Sequence, residues 1–363
     1  MRGEERGQRA MLVVIDPEKR VPKDHPIRRI KQLAEAALAE LSPLFDELYS
    51  AVGRPSIPPE RLLKASLLMA LYTVRSERLL CERLDYDLMF RWFVGLEMDE
   101  PSFDHSTFSR NRARLLKHEV AGEFLRAVVE QGRRLKLLSD EHFTVDGTLV
   151  EAWASLKSFK RKGGKPDQPP DDPGNPTVNF HGERRSNQTH QSTTDGEALL
   201  ARHGKGKEAK LYYSANALAE NRNFLLADFQ VEPADGQAER RAAIAMADER
   251  VPGSCRITLA GDKGYDTHGF VASCRELAIT PHVAQNEARP GGSAIDARTT
   301  HHPGYALSQR LRKRIEEGFG WMKTIGGLRK TRYRGRDRVQ MHAYLVAAAY
   351  NLLRLAKLSQ APA

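Results

Sequence analysis

The sequence lacks the features that would anchor it in a membrane or stabilise it in an oxidising compartment. Its three cysteines, Cys81, Cys255 and Cys274, are too widely spaced for a disulfide framework or a C-x2-C zinc pattern. The pair His301-His302 supplies no H-x3-H spacing either. No run of 18 apolar residues occurs, and the opening MRGEERGQRA lacks the apolar core of a signal peptide. We therefore expect a soluble, cytoplasmic protein with no membrane partner.

What the chain does contain is an excess of basic charge. The 363 residues include 57 Lys or Arg against 47 Asp or Glu, a formal net charge of +10. Such a balance favours a polyanionic partner, although a solvated basic surface without a partner is the alternative. The length predicts two or three domains, with at least one sizeable core.

Helical periodicity dominates the first part of the chain. Residues 1–26 are predicted to be a tail, and residues 27–138 an all-α domain, because apolar residues recur there at helical spacing. One helix is predicted from Ile27 to about Tyr49, and another after the break GRPSIPPE, where proline suits a first turn. Ser76 is the predicted N-cap of a helix reaching to about residue 93, Ser106 caps the next, and a last helix covers about 119–138.

Strand and helix patterns alternate in residues 139–358. Extended structure is predicted around EHFTVDGTLVEAWAS, with a turn at Asp146-Gly147, and again at KLYYSANALAE, NFLLADFQVEP and CRITLAG. Helices are predicted near 237–250, 267–277 and 308–324, and at the C-terminus. Residues 160–190, rich in Pro, Gly and charge, are predicted to be a loop or mobile insert, and 359–363 a tail. Three strands followed by helix, strand and helix predict an α/β catalytic domain with an RNase H-like mixed sheet.

Two aspartates follow or end predicted strands. Phosphoryl transfer without a covalent intermediate needs two cations about 3.5–4 Å apart, and such ions prefer carboxylate oxygens. Asp146 is a candidate ligand, although a turn aspartate bonded to its own backbone is the alternative. Asp262 lies past the carboxyl end of a strand, where open α/β sheets place ligands. We expect Asp266 to cap the following helix instead.

The third candidate acid is Glu316. Leu311, Ile315, Phe319 and Met322 recur at helical spacing and predict a buried stripe. Glu316 lies about 100° from Ile315 and borders this stripe, whereas Glu317, about 200° away, is predicted to face solvent. Arg312 and Lys323 share the face of Glu316, as expected near a bound phosphate; a surface salt-bridge network is the alternative.

These segments resemble a family of bacterial insertion-sequence transposases of the DDE class. The blocks TVDGTLVEAWAS, LAGDKGYD and RLRKRIEEGFGWMK are similar to those around the three acids in the branch with a Y-x2-R-x3-E-x6-K signature. The stretch from PPERLLKASLLMALYT to DHSTFSRNRARL resembles the helical domain that precedes the catalytic core in that branch. The resemblance covers roughly residues 45–355, with Gln309 at the position of the signature tyrosine.

The resemblance implies specific roles. Asp146, Asp262 and Glu316 would be the catalytic triad and the metal ligands, and Arg312 and Lys323 the basic members of the signature. It also implies Mg2+ or Mn2+, with two ions bound, and terminal inverted repeats and target DNA as double-stranded substrates. We expect a homodimer when the protein assembles on DNA.

Two basic segments are predicted to bind DNA. In SRNRARLLKH a recognition helix would present Arg110, Asn111, Arg112, Arg114 and Lys117, with Asn111 reading adenine and the arginines guanine; a solvated face is the alternative. Further on, alternate basic residues would share one side of an extended segment and track a phosphate backbone, with an aromatic ring able to stack on a base. These residues are Lys330, Arg332, Tyr333, Arg334, Arg336 and Arg338.

The sequence therefore predicts a metal-dependent transposase that cuts element ends and joins them to target DNA. Two alternatives are an RNase H-like endonuclease that does not join strands and a domesticated DNA-binding protein without catalysis. The presence of all three acids argues against the last.

Overall fold

The computed structural model describes residues 14–49, 52, 56–117, 119–163, 179–180, 183–204, 206–250 and 257–359. Residues 117, 179–180 and 183–184 are described by their backbone alone. Half of the predicted N-terminal tail, more than half of the predicted insert and all but Ser359 of the predicted C-terminal tail lie outside this part of the chain, as does Cys255. Cys81 and Cys274 are buried free thiols.

Helices fill the first part of the chain, as predicted. They are α1 (Pro17–Arg20), α2 (Pro26–Glu40), α3 (Ser42–Leu48), α4 (Pro59–Leu71), α5 (Glu77–Tyr86), α6 (Leu88–Val94), α7 (His105–Lys117) and α8 (Val120–Arg134).

Two predicted long helices are each divided into two, and one predicted cap is wrong. The helix expected from Ile27 to Tyr49 breaks at Leu41, just before Ser42-Pro43, because proline cannot donate a backbone hydrogen bond. The helix capped by Ser76 ends at Tyr86, and Asp87 caps α6 by accepting a hydrogen bond from the Phe90 amide. Asp104, not Ser106, caps α7, since its Oδ1 accepts from the amides of Ser106 and Thr107.

The second part of the chain contains the remaining elements. The strands are β1 (His142–Glu151), β2 (Phe159–Arg161), β3 (Asn179–Phe180), β4 (Glu183–Arg184), β5 (His190–Ser192), β6 (Leu199–Ala201), β7 (Lys210–Glu220), β8 (Leu226–Pro233), β9 (Ile257–Gly261) and β10 (Ile279–Val283). The helices are α9 (Ala238–Arg250), α10 (His268–Glu276), α11 (Ala297–Thr300), α12 (Pro303–Leu311), α13 (Ile315–Thr324) and α14 (Arg336–Leu358), with 3-10 turns at Leu156–Ser158, Lys263–Tyr265 and Arg312–Arg314.

The main sheet is mixed and has β1 at its centre. β1 pairs antiparallel with β7 and parallel with β9, β7 pairs antiparallel with β8 and β6, and β9 pairs parallel with β10. The order β8-β7-β1-β9-β10 with these directions is the RNase H-like mixed sheet that the element pattern predicts. β10 was not predicted.

Helices cover both faces of this sheet. On one face, Met246 of α9 and Phe270 of α10 belong to the same apolar cluster as Phe143. On the other, the rings of Phe319 in α13 and Phe229 in β8 lie 6.4 Å apart. Buried Asn351 of α14 exchanges hydrogen bonds with the backbone of Leu226, which fixes this helix to β8.

The N-terminal helices share the core of the sheet. One apolar cluster contains residues of α2, α4 and α8 together with residues of α14 and the sheet, so apolar packing is continuous across the boundary predicted at residues 138 and 139. That boundary stays a prediction. Within the described residues, no helix is long and apolar enough to cross a membrane.

Candidate active site

Asp146 lies in the middle of β1, opposite Ala217 of β7. The predicted turn at Asp146-Gly147 is therefore wrong, because the strand runs without interruption from His142 to Glu151. Because Gly147 has no side chain, the side chain of Glu239 lies close to this point of β1. A Cβ atom there would lie 2.4 Å from Cγ of Glu239 at the start of α9, so a larger residue at this point of the strand would displace the Glu239 side chain.

Asp262 directly follows β9 and begins the next 3-10 turn. Its Oδ1 accepts a hydrogen bond from the Gly264 amide at 2.7 Å, a local structural role that the sequence did not indicate. Asp266 does not cap the next helix as predicted; Thr267 does, through the Phe270 amide. The buried Asp266 carboxylate instead accepts from loop amides at residues 286 and 294.

Glu316 lies in the first turn of α13, but the predicted continuous helix 308–324 is wrong. α12 begins earlier, at Pro303, and the 3-10 turn Arg312–Arg314 separates it from α13. Ile315, Phe319 and Met322 are buried, as predicted. The charge of Glu316 acts on Asp146, whereas that of Glu317 acts on Tyr350. The two neighbouring acids therefore face different surroundings, although both are exposed.

The acids of the site act on one another electrostatically. Burial raises the pKa of Asp146 to about 7, and the negative charges of Asp262, Glu239 and Glu316 add to this rise, against a hydrogen bond from the Gly147 amide. Within the described residues, Asp146, Asp262 and Glu316 make no ion pair. An excess of negative charge at one point is the condition that a bound cation would relieve.

Arg312 and Lys323 lie on either side of Glu316 along the chain. Arg312 is half-buried, and its Nε donates to Oε1 of Gln309 at 2.9 Å. Gln309 in turn donates to the carbonyl of His282 in β10, so the residue at the signature tyrosine position links Arg312 to the sheet. Lys323 is half-buried near Asp146; burial lowers its pKa, and the charge of Asp146 opposes this shift.

A cavity opens beside the strand that carries Asp146. It has a volume of about 310 Å3 and is lined by Gly147, Thr148, His203, Ser214 and Glu239, among others. Glu239 is an acidic residue beside this site that no sequence pattern indicated. The signal that could have found it is the glycine after Asp146, because an interior glycine in a strand marks a close approach as well as a turn.

Helix α7 exposes part of the predicted recognition set. Arg110 and Arg114 are exposed, and Arg114 lies over the ring of Tyr49. Asn111 is buried and donates to the carbonyl of Thr107, one turn earlier. Arg112 is only 16% exposed.

The environment of Arg112 explains why it points inward. It pairs with Glu77 and stacks on Tyr333 at 4.8 Å. The structure thus does not place Asn111 or Arg112 for contact with bases, because their polar atoms are already engaged within the protein. Lys117 ends α7, and its side chain lies outside the described residues.

The basic segment from Lys330 to Arg338 is not one extended strand, so the predicted common side is wrong. α14 begins at Arg336, where the preceding Gly335 has a φ of +83°. Lys330 pairs with Glu151 at 2.9 Å.

Two further members of the segment hold the N-terminal helices to the C-terminal part of the chain. Arg332 donates to the carbonyl of Arg75 at 2.6 Å. Tyr333 packs between Arg112 and His342 and does not stand free to stack on a base. Arg334, Arg336 and Arg338 remain exposed.

The three acids interact electrostatically, but their carboxylates are not arranged around a single metal-binding position. Among the described residues, no group of three or more His, Cys, Asp or Glu side chains is arranged to hold a metal ion. The donor chemistry nevertheless fits a hard divalent cation, because the converging groups are carboxylates and their charge is uncompensated.

Comparison with known proteins identifies the family. The model of a Transposase domain (DUF772) matches residues 15–114, and that of the Transposase DDE domain matches residues 177–352. Together they cover most of the chain, and the second includes Asp262 and Glu316. No curated protein matches the chain in sequence.

Solved structures of transposases are also similar to this chain. The piggyBac transposase synaptic complex with hairpin DNA matches at 12% identity and a TM-score of 0.41, covering 95% of this chain and 75% of that one. The Mos1 transposase paired-end complex with the left transposon end matches at 12% identity and a TM-score of 0.20, covering 77% and 79%. The assignment rests on the two family matches and the mixed sheet: the chain belongs to the DDE transposases.

Proposed function

We propose that Asp146, Asp262 and Glu316 hold the divalent metal ions with which this transposase cuts element ends and joins them to target DNA. DDE transposases use divalent metals, and two ions, Mg2+ or Mn2+, would be held here. The observation that supports the proposal is that the charges of Asp262, which follows β9, and Glu316, in α13, act on the buried Asp146 of β1.

The chemistry follows from these positions. A pair of divalent ions at the carboxylates would polarise the phosphodiester and stabilise the attacking and leaving oxygens. Asp146 is fixed by its strand and Asp262 by its bond to Gly264, so two of the three oxygen donors are held by backbone structure. Arg312, oriented by Gln309, and Lys323 supply positive charge for the phosphates of the bound strand.

A strand-transfer assay tests this function against the endonuclease alternative. A precleaved DNA end with a free 3′-hydroxyl, incubated with protein, Mg2+ and a plasmid target, should give covalently joined products. No hydrolysis is needed in that reaction, so joining must use transesterification. Cleavage of uncut ends without any joining of precleaved ends would identify an endonuclease instead.

Exposed arginines extend the proposal to the DNA surface. We propose that Arg110 and Arg114 of α7 contact the terminal repeats, and that Lys330, Arg334, Arg336 and Arg338 contact phosphates. Neutralising Arg334, Arg336 and Arg338 together should flatten the slope of log K against log salt by up to about 2.7, at about 0.9 per lost contact.

That loss should weaken specific and random duplexes alike, because phosphate contacts carry little sequence information. An unchanged slope would exclude this segment from the DNA interface.

We also propose that two copies of the chain assemble on a pair of element ends. Each chain carries one acid group, whereas an element has two ends to be cut and joined. Light scattering of the complex with end fragments should give two protein chains for two DNA ends; one chain per isolated end at all concentrations would contradict this.

A further inference from the structure

We propose that Glu239 is a fourth acidic residue of this active site, admitted by Gly147 and oriented by the Tyr265 hydroxyl, and that it binds the hydrated divalent ion. This inference rests on the proposed function of Asp146, Asp262 and Glu316. It adds a metal-binding residue that lies in α9, outside the three blocks that carry the resemblance to known transposases.

The first observation is the fit of Glu239 over Gly147. A Cβ at residue 147 would lie 2.4 Å from Cγ and 2.7 Å from Cδ of Glu239, well inside any contact that real side chains make. Glycine weakens the interior of a strand, since it has no side chain to pack. At the centre of the sheet that cost is offset here by the approach of a carboxylate to the residue next to Asp146.

The second observation is independent of the acids and concerns Tyr265. This side chain is 1% exposed, and its hydroxyl has no hydrogen-bond partner in the described part of the chain. An unpaired buried hydroxyl is costly and rare. The carboxylates whose charges act on it are those of Glu239, Asp146 and Asp262, so this unpaired donor lies within electrostatic reach of the acid group.

Together these features describe a place for a hydrated cation. Glu239 and Gly147 line the 310 Å3 cavity beside β1, whereas Asp146, Asp262 and Glu316 do not. The cavity gives room, on the Glu239 side of the acid group, for the water molecules that Mg2+ keeps when it binds to proteins. The carboxylate of Glu239 can accept hydrogen bonds from those waters with one oxygen, while the Tyr265 hydroxyl donates to the other. Such outer partners fix the orientation of a metal-binding carboxylate.

Mn2+ binding to the full chain in the absence of DNA tests the proposal. Mn2+ is titrated into wild type and Glu239→Gln, and free ion is counted by electron paramagnetic resonance. We expect the affinity of Glu239→Gln to fall about 10–100-fold, the usual effect of losing an outer-shell partner. Tyr265→Phe should lower affinity less, in the same direction. Glu249→Gln, at the other end of α9 and 54% exposed, is the matched control and should bind as wild type.

Melting temperature in EDTA separates a metal-binding role from a purely structural one. Glu239→Gln preserves size over Gly147 and removes a negative charge from a crowded site, so the metal-free protein should melt at the same temperature or higher. Its gain in melting temperature on adding Mn2+ should be smaller than that of wild type. A lower melting temperature in EDTA with unchanged Mn2+ affinity would overturn the proposal.

Asp262→Asn separates a failure of the Glu239 proposal from a failure of the proposed three-acid metal site. If Asp262→Asn weakens Mn2+ binding and Glu239→Gln does not, the role of Glu239 is wrong and the three-acid site stands. If neither variant changes Mn2+ binding, the proposed metal site itself is wrong.

Discussion

At the scale of single residues, Asp146-Gly147 shows how one sequence pattern serves two structures. Asp-Gly is typical of turns because glycine adopts left-handed backbone conformations freely. Here Gly147 pairs in register with Asn216 inside a continuous strand, and its missing side chain makes space for Glu239. The sequence identified Asp146 as a candidate, but the reason for the glycine lies in α9, some 90 residues away, which local pattern does not reveal.

The orientation of α13 places Glu316 and Glu317 in different surroundings, so a substitution of Glu317 is the control for one of Glu316. Glu316 and Glu317 are adjacent and both exposed, but only the charge of Glu316 acts on Asp146. We expect Glu316→Gln to abolish cleavage of an end fragment and Glu317→Gln to leave it within about a factor of three, since surface changes away from a site rarely exceed about 0.5 kcal/mol. The opposite result would move the third acid by one residue.

The raised pKa of Asp146 predicts a pH dependence of stability in metal-free protein. An aspartate whose folded pKa of about 7 exceeds its unfolded value of 3.8 favours the folded state only while protonated. The free energy of unfolding should therefore fall as pH rises toward the folded pKa and level off above it. Between about pH 5.5 and about pH 8.5 the loss should be up to roughly 2 kcal/mol.

Urea unfolding in EDTA at the two pH values measures this loss. Asp146→Asn cannot ionise and should lose most of the difference. If that variant keeps the full pH dependence, another group is responsible. Mn2+ affinity of wild type should show the opposite trend and strengthen as pH rises through about 7, because binding requires the carboxylate.

At the scale of secondary-structure elements, the predictions were correct where hydrophobic period and segment length indicated the same element. They were wrong where a predicted helix is interrupted. β7, β8 and α9 were predicted closely, because strand and helix periods are clear there. The breaks at Leu41 and Asp87 and the 3-10 turn at Arg312–Arg314 occur inside sequences whose apolar spacing continues across them. The break at Asp87 is decided by a local cap, the Phe90 amide bonded to Asp87. The break near Arg312 is accompanied by the bond from Gln309 to β10, which depends on a tertiary neighbour.

Helix α7 exposes Arg110 and buries Asn111, so we expect substitutions of these two adjacent residues to affect DNA binding differently. Arg110→Ala should cost about 1–3 kcal/mol in binding to the terminal repeat and relax preference at one base pair, as expected for a lost bidentate contact. Asn111→Ala should leave sequence preference unchanged, because its amide is engaged with Thr107.

Competition binding to repeat and random duplexes, with melting temperatures as a control for folding, makes the comparison. Equal weakening of both duplexes by Arg110→Ala would reduce α7 to a phosphate contact. A change of base preference in Asn111→Ala would show that α7 is repositioned on DNA.

At the scale of the whole molecule, the acids are brought together by the sheet and by the long helix behind it. Asp146 and Asp262 come from neighbouring parallel strands, and Phe143 pairs in register with Leu259 just before them. Glu316 comes from α13, which packs through Phe319 against β8. Element order predicted this RNase H-like arrangement, since the topology follows from the succession of strands and helices.

The same scale explains the misread basic segment. The alternating charges predicted an extended segment with its basic side chains on one side. In the structure, the N-terminal helices are instead joined to the segment before α14 by Arg112, Arg332 and Tyr333. Their contacts span more than 200 residues, so no local pattern could separate these internal arginines from the exposed ones. The spacing of the charges correctly indicated a basic region, but fewer of its side chains are exposed for contact with DNA than the spacing predicted.

The central claim is that Asp262 acts through metal ions and not through folding or DNA binding. The most direct measurement compares wild type and Asp262→Asn on a labelled terminal fragment at saturating DNA, with binding recorded in the same samples and with Mg2+ or EDTA present. Asparagine keeps the size of the side chain and an oxygen for the Gly264 amide. We predict equal DNA binding and a fall in cleavage of at least about 100-fold, because loss of even an outer-shell partner of a metal ligand costs about 10–100-fold. Cleavage by Asp262→Asn at the wild-type rate, or full wild-type cleavage in EDTA, would contradict it.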